Sequence, residues 1–142
     1  MAPGAEIFYE SYPDNIDNAD NNYTNLNVRI TSSSYSNGCN AGYTNRTRTM
    51  DQDVIDNPKL IQIFSAGNNG SSNCQYGAGP GWGNVTGGHK IAKNVVAVAN
   101  LTRTDALANS SSRGPASDGR IKPDVSAVGS QVYSTTNPNL YT

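Results

Sequence analysis

Two stretches of this 142-residue chain pass from apolar, β-branched residues straight into small polar ones. Leu60-Ile61-Gln62-Ile63-Phe64 runs into Ser65-Ala66-Gly67-Asn68, and Val28-Arg29-Ile30-Thr31 runs into Ser32-Ser33-Ser34-Tyr35-Ser36. Small residues at the end of a buried strand leave a slot in which another chain can lie. Gly67 permits close backbone approach there, and Asn68 offers an amide donor at the lip. A donor held rigidly at such a place stabilises a carbonyl oxygen as it becomes an oxyanion. On turn chemistry alone, however, Ser-Ala-Gly-Asn reads first as an ordinary turn.

Other residues with chemical capacity carry less. His89, the one imidazole, stands in "GGHKIAKN". A general base needs its nucleophile within hydrogen-bond reach, so a structural or solvated role is expected for it. Serines without an aligned base are poor nucleophiles, and no labelling by a fluorophosphonate is expected of this chain alone. Asn18, Asp20 and Asn22 alternate as calcium ligands can, but Tyr23 in sixth place and Arg29 in twelfth exclude an EF-hand and leave a solvated polar loop. The glycines of "GAGPGWGN" fail dinucleotide spacing, since Trp82 stands three past Gly79. Trp82 either lines the slot or simply packs. Arg113 is expected to hold loops together through carboxylates or carbonyls, with Asp118 and Asp124 as nearby candidates.

Cys39 and Cys74 permit one disulfide or none. Each follows a strand-like segment. If those strands are parallel neighbours, both thiols emerge at the same end of the sheet, which favours a bridge stabilising by about 3 to 4 kcal/mol. Two free thiols in a reducing compartment are the alternative.

The elements that must position these groups alternate along the chain. Residues 5–9, 28–32, 60–64, 94–100 and 131–134 have the β-branched or apolar character of strands. The polar run between 14 and 27 reads as a loop or a frayed helix. A helix is expected after the second strand: Thr49 with Gln52 makes a capping box, Met50 and Val54 share a face, and Pro58 stops continuation past Asn57. Strand, helix, strand fits a right-handed parallel crossover. The strand at 94–100, apolar on both faces, is expected to be covered on both sides. "YGAGPGWGNVTGGHK" reads as an ordered surface loop, and the chain after Leu107 as irregular until Gln131. The class is α/β with a parallel sheet, in which function gathers at the carboxyl ends of the strands.

Composition bounds the partners. Ten basic residues against eleven acidic ones give a net charge of -1, which attracts neither nucleic acid nor anionic lipid. No window is long and apolar enough for a membrane span, and the first residues lack the pattern of an export signal. The Asn-, Ser-, Thr- and Gly-rich composition, with triplets such as Asn45-Arg46-Thr47 and Asn84-Val85-Thr86, suits an extracellular setting.

"MAPGAEI", "FSAGNNG", "VVAVANL" and "SSSRGPASDGRIKPDVSAVGSQVYST" stand in the order and approximate spacing of a known family. The chain resembles the subtilisin-like serine peptidases, the subtilases, from Met1 to about Thr135. The pairing of Ser112-Arg113-Gly114-Pro115 with Lys122-Pro123-Asp124-Val125 is the most specific part of the likeness. The resemblance implies a three-layer α/β/α fold, here a subtilisin-like parallel sheet incomplete at both ends, forming one partial catalytic domain over 1–142. It implies that Asn68 is an oxyanion-hole donor, that Ser34-Tyr35-Ser36 pairs with the substrate backbone, and that Ser65-Ala66-Gly67 walls the primary specificity pocket.

The family's Asp-Ser/Thr-Gly, His-Gly-Thr-His and Gly-Thr-Ser-Met-Ala segments do not occur. The chain therefore looks like the interval between catalytic His and catalytic Ser. Ser36 replaces a usual glycine, and Val128 the usual proline of an Ala-Pro-Gly turn. The expectation is a piece of a secreted subtilisin-like serine endopeptidase that binds an extended polypeptide substrate. It would need no cofactor, any structural calcium belonging to the parent protein, and it would engage neither nucleic acid nor membrane. Open sheet edges make self-association an expectation as well. A scaffold without its triad that keeps a peptide groove is the alternative, and an Asn/Thr-rich adhesion domain a weaker one.

Overall fold

The computed structural model describes residues 4–34, 38–39, 42–133, 135–136 and 140–141. Four parallel strands form its sheet in the order β1 (Ile30–Ser33), β2 (Ile61–Ser65), β3 (Val96–Leu101), β4 (Val125–Val128). Ser33 lies beside Phe64, Ser65 beside Val98 and Leu101 beside Val128, so the carboxyl ends of all four strands leave the same side of the sheet.

The crossover from β1 to β2 runs through α3 (Asn45–Asp56). This helix begins earlier than the Thr49 and Gln52 signal predicts. Thr44 is the N-cap and forms a reciprocal capping box with Thr47, whereas the Thr49 hydroxyl donates to the Asn45 carbonyl inside the helix at 3.2 Å. A threonine at the third helical position does the work usually given to Glu or Gln, which hides the box in the sequence. The helix ends at Asp56 with Asn57 as its C-cap, ahead of Pro58, as expected.

The core forms where the inner face of α3 meets the sheet. Met50 and Phe64 pack with Ile16, Ala92 and Val95, all buried. A second cluster joins Ala66, Val85 and Ile91. Truncating a buried aromatic such as Phe64 typically costs about 3 to 5 kcal/mol.

Several local expectations are corrected. Residues 5–9 form no strand: no described strand lies alongside them, and Ile7 and Tyr9 are almost wholly exposed. The polar run contains two short helices, α1 (Asp14–Asp17) and α2 (Ala19–Asn25), held because each buries a small face, Ile16 in one and Ala19 with Asn22 in the other. On β3, Ala97 and Ala99 are buried while Val96 and Val98 are half-buried, so only one face is fully covered among the described residues. Strand β4 falls in the stretch expected to be irregular. The tail differs again: 131–133 are irregular, Ser134 lies outside the described residues, and a small antiparallel pair joins β5 (Thr135–Thr136) to β6 (Leu140–Tyr141).

The Gly-rich passage is only partly a surface loop. Residues 83–92 are buried throughout, including a short 3-10 turn at His89–Ile91. Asn84 is fully buried: it donates to the Ser72 carbonyl at 3.1 Å and accepts from the Arg113 amide at 2.7 Å, so its triplet is closed to glycosylation in the folded chain. Among the described residues no helix is long and apolar enough to cross a membrane.

Candidate functional site

Strand β2 ends at Ser65, and its register continues one residue further, the Ala66 amide donating to the Val98 carbonyl at 2.8 Å. The chain then turns at Gly67, whose φ of +108° favours glycine. From there it is tied to the segment 110–112 on both sides. The Ser112 amide donates to the Gly67 carbonyl at 2.9 Å, the Asn69 amide to the Ser112 hydroxyl at 3.0 Å, and the Gly70 amide to the Ser110 carbonyl at 3.1 Å. At Gly70 a Cβ would run into the carbonyls of Asn109 and Ser111, so only glycine fits.

Asn68 sits inside this tied turn. Its side chain is exposed and makes no hydrogen bond among the described residues, so a rigid backbone presents an unspent amide donor. It borders an open cavity of approximately 490 Å³ at the carboxyl ends of the sheet, with Ser32, Ser34, Ser65, Gly67 and Asn100 on the same rim and Ile63, Phe64 and Val98 among the apolar lining. Among the described residues no ionisable side chain lines it. A neutral cavity that is apolar within and offers a few aimed hydrogen-bonding groups suits an uncharged polar guest such as a peptide backbone.

The sequence-predicted residues divide as follows. Ser34, Ser65, Gly67 and Asn68 come together on this cavity, whereas Ala66 turns into the core beside Val85 and Ile91. Tyr35 and Ser36 lie outside the described residues. Sequence reasoning missed Asn100, whose Nδ2 donates to the Ser130 hydroxyl at 2.8 Å and whose buried Oδ1 has no partner among the described residues. The available signal was a polar amide closing the apolar run Val95–Ala99.

His89 is buried rather than solvated, stacked on the Phe64 ring with centroids 5.7 Å apart. Burial, with help from the Arg46 and Lys90 charges, pushes its pKa down from the ordinary 6.5 to about 4, so it is neutral near pH 7. The amides of Asn18 and Asn22 donate to the Glu10 carboxylate, at 3.2 and 2.6 Å, and Asp20 accepts from Asn57 at 2.9 Å, so these three residues do not converge on one point. Among the described residues no group of three or more His, Cys, Asp and Glu side chains is gathered to hold a metal ion.

Arg113 does join loops, but through the Gly70 and Gly81 carbonyls, at 3.3 and 3.4 Å. Asp118 and Asp124 are engaged by Arg120 and Lys122 instead. Trp82 lies under the Arg113 guanidinium, 5.8 Å from it, over half exposed and away from the strand-end cavity. Cys39 and Cys74 are joined in a disulfide with their Cα atoms 5.2 Å apart.

Residues 4–142 match the family model described as the subtilase family. No curated protein matches. Among solved structures, the prenylagaramide maturation protease PagA shares the fold with a TM-score of 0.65 at 17% identity, over 96% of this chain and 44% of that one. A psychrophilic protease, S41, is 30% identical over 84% of this chain and 38% of its own, with a TM-score of 0.47. The chain thus spans less than half the length of either. With a family match running through every strand of the parallel sheet and through the turn that carries Asn68, this chain belongs to the subtilase family.

Proposed function

We propose that this chain supplies the peptide groove and one oxyanion donor to the active site of a secreted, subtilisin-type serine endopeptidase. The observation that carries the reading is Asn68: an unspent amide on a turn tied down by three hydrogen bonds, at the lip of a neutral cavity where parallel strands end. A substrate lying extended across Ser32–Ser34 and Ser65–Gly67 would bring its carbonyl to that amide, and developing negative charge would strengthen the bond in the transition state. The disulfide favours an oxidising compartment.

His89 takes no part, being packed on Phe64. The nucleophile and base come from the family's Ser and His segments, which this sequence does not include, so the 142 residues by themselves hydrolyse nothing.

Kinetics of the peptidase that joins this chain to those segments test the proposal. The isosteric Asn68→Leu variant is expected to lose about 10²- to 10³-fold in kcat with KM little changed, a magnitude carried over from the corresponding donor of subtilisin. A variant that keeps its kcat removes Asn68 from the oxyanion site.

A further inference from the structure

Asn69 and Gly70, next to Asn68, form a pair with a chemistry of its own. A glycine after asparagine has no side chain to shield its amide nitrogen, which can attack the carbonyl carbon of the asparagine side chain. A C–N bond forms, the attacking nitrogen gives up its proton, and the side-chain nitrogen leaves as ammonia, closing a five-membered succinimide. Water then opens the ring at either carbonyl. One opening gives aspartate, the other an isoaspartate whose main chain runs through the β-carbon, and water is the only co-reactant.

The folded turn withholds what this reaction needs. The Gly70 nitrogen, buried, points its proton at the Ser110 carbonyl at 3.1 Å. A nitrogen so engaged neither loses that proton readily nor turns toward the side chain before it. The Asn69 backbone is fixed on both sides, its amide donating to the Ser112 hydroxyl at 3.0 Å and its carbonyl accepting from the Ser72 amide at 2.8 Å. Attack must therefore wait until the turn opens, and such local opening has a free energy of its own.

The product meets a different obstacle. A Cβ at Gly70 would collide with the carbonyl oxygens of Asn109 and Ser111, so the backbone of 109–111 lies directly against this residue. An isoaspartyl link inserts one extra backbone atom just before it, and close packing leaves the displaced chain no room.

We infer that Asn69 is a deamidation site latched by the fold. The hydrogen bonds of the turn keep it unreacted, an opening that frees the Gly70 amide lets it react, and the isoaspartyl product does not return to the tied turn. Opening thereby becomes irreversible. Only the further consequence, loss of the Asn68 donor, rests on the function proposed above.

Peptide mapping of the 142-residue chain by mass spectrometry, with enzymatic detection of isoaspartate, tests this beside hydrogen exchange at the Gly70 amide. In urea Asn69 is expected to deamidate at a rate close to that of Asn37, the other asparagine followed by glycine. Without urea the Asn69 rate should fall roughly tenfold or more, and it should follow the exchange of the Gly70 amide as urea is raised. Ser112→Ala, which removes the acceptor of the Asn69 amide, should raise both rates together. No deamidation at Asn69 in urea rejects the site. A rate without urea equal to that in urea, or one that ignores Gly70 exchange, rejects the latch.

Chains deamidated in urea and returned to buffer report the fate of the product. Isoaspartyl chains are expected to lose protection at Gly70, whereas Asn69→Asp, which adds the charge without the extra backbone atom, should keep it. Protection regained by isoaspartyl chains overturns the irreversibility. None of these readouts involves a peptide ligand, so a failed groove leaves them standing.

Discussion

Asn68 owes its rigidity to residues distant in sequence, above all Ser110 and Ser112, and this is why the turn SAGN looks ordinary when read alone. The donor itself was legible at the end of an apolar strand, but the tie that holds it was not. Asn100 shows the converse, a polar group on the same rim concealed by the apolar run before it. Titration at single residues yields a prediction. His89 has a folded pKa of about 4 against 6.5, so the unfolded chain binds the extra proton and stability falls as pH drops from 6.5 to 4. Asp53 acts oppositely: burial, aided by the like charges of Asp20, Asp56 and Asp17, raises it from 3.8 to about 6, so the folded chain takes up the proton first and gains as pH falls through that window. The two slopes offset one another in the native sequence. In Asp53→Asn the histidine slope is no longer offset, and urea denaturation should show a loss on the order of 3 kcal/mol between pH 7 and 4, to which Asp118, held down by Arg120, adds in the same direction toward the acid end. A curve as flat as that of the unmodified chain would contradict the burial of His89.

Among the elements, α3 is coupled to β3 by one carboxylate. Asp51 accepts from the Asn94 amide at 2.7 Å and from the Tyr43 hydroxyl at 2.6 Å, while its own carbonyl accepts from the Asn94 side chain at 3.2 Å. Asp51→Ala strands a backbone donor at the entry to β3, and the expected loss is about 2 to 3 kcal/mol in chemical denaturation, with α3 still helical by circular dichroism. A loss below about 0.5 kcal/mol would show that the helix docks by its apolar face alone. The same kind of polar tie explains which strands could be read from the sequence. β2 and β3 announce themselves through buried Phe64, Ala97 and Ala99. Every residue of β4 is exposed, and the strand is held instead by the Asp124 amide to the Ala97 carbonyl at 2.9 Å and the Ala97 amide to Asp124 at 2.7 Å, bonds that leave no hydrophobic pattern. Ile7 and Tyr9 have the pattern without a described partner.

At the scale of the whole molecule, the disulfide links the segment after β1 to the segment after β2 across 35 residues, bracketing the strand ends that form the cavity. Closing a loop of that length stabilises by about 4 kcal/mol in the chain-entropy account. Reduction should therefore lower the denaturation midpoint and loosen the turn bearing Asn68, which a comparison with and without reductant would show. An unchanged midpoint would mean that the sheet alone sets the stability. The parallel order of the strands, and with it a cavity at their carboxyl ends, followed from the strand-helix-strand alternation. The burial of residues 83–92 did not, because Val85 and Ile91 are apolar residues isolated among glycines and polar side chains, and Asn84 fixes the segment through backbone bonds that leave no pattern. The most direct test of the groove is an NMR titration of the isotope-labelled 142-residue chain with an extended peptide. The account predicts that the Asn68 side-chain amide and the backbone amides of Ser32–Ser34 and Ser65–Gly67 shift together, saturably. Shifts confined to other surfaces, or an Asn68 amide that stays still while peptide binds, would contradict it.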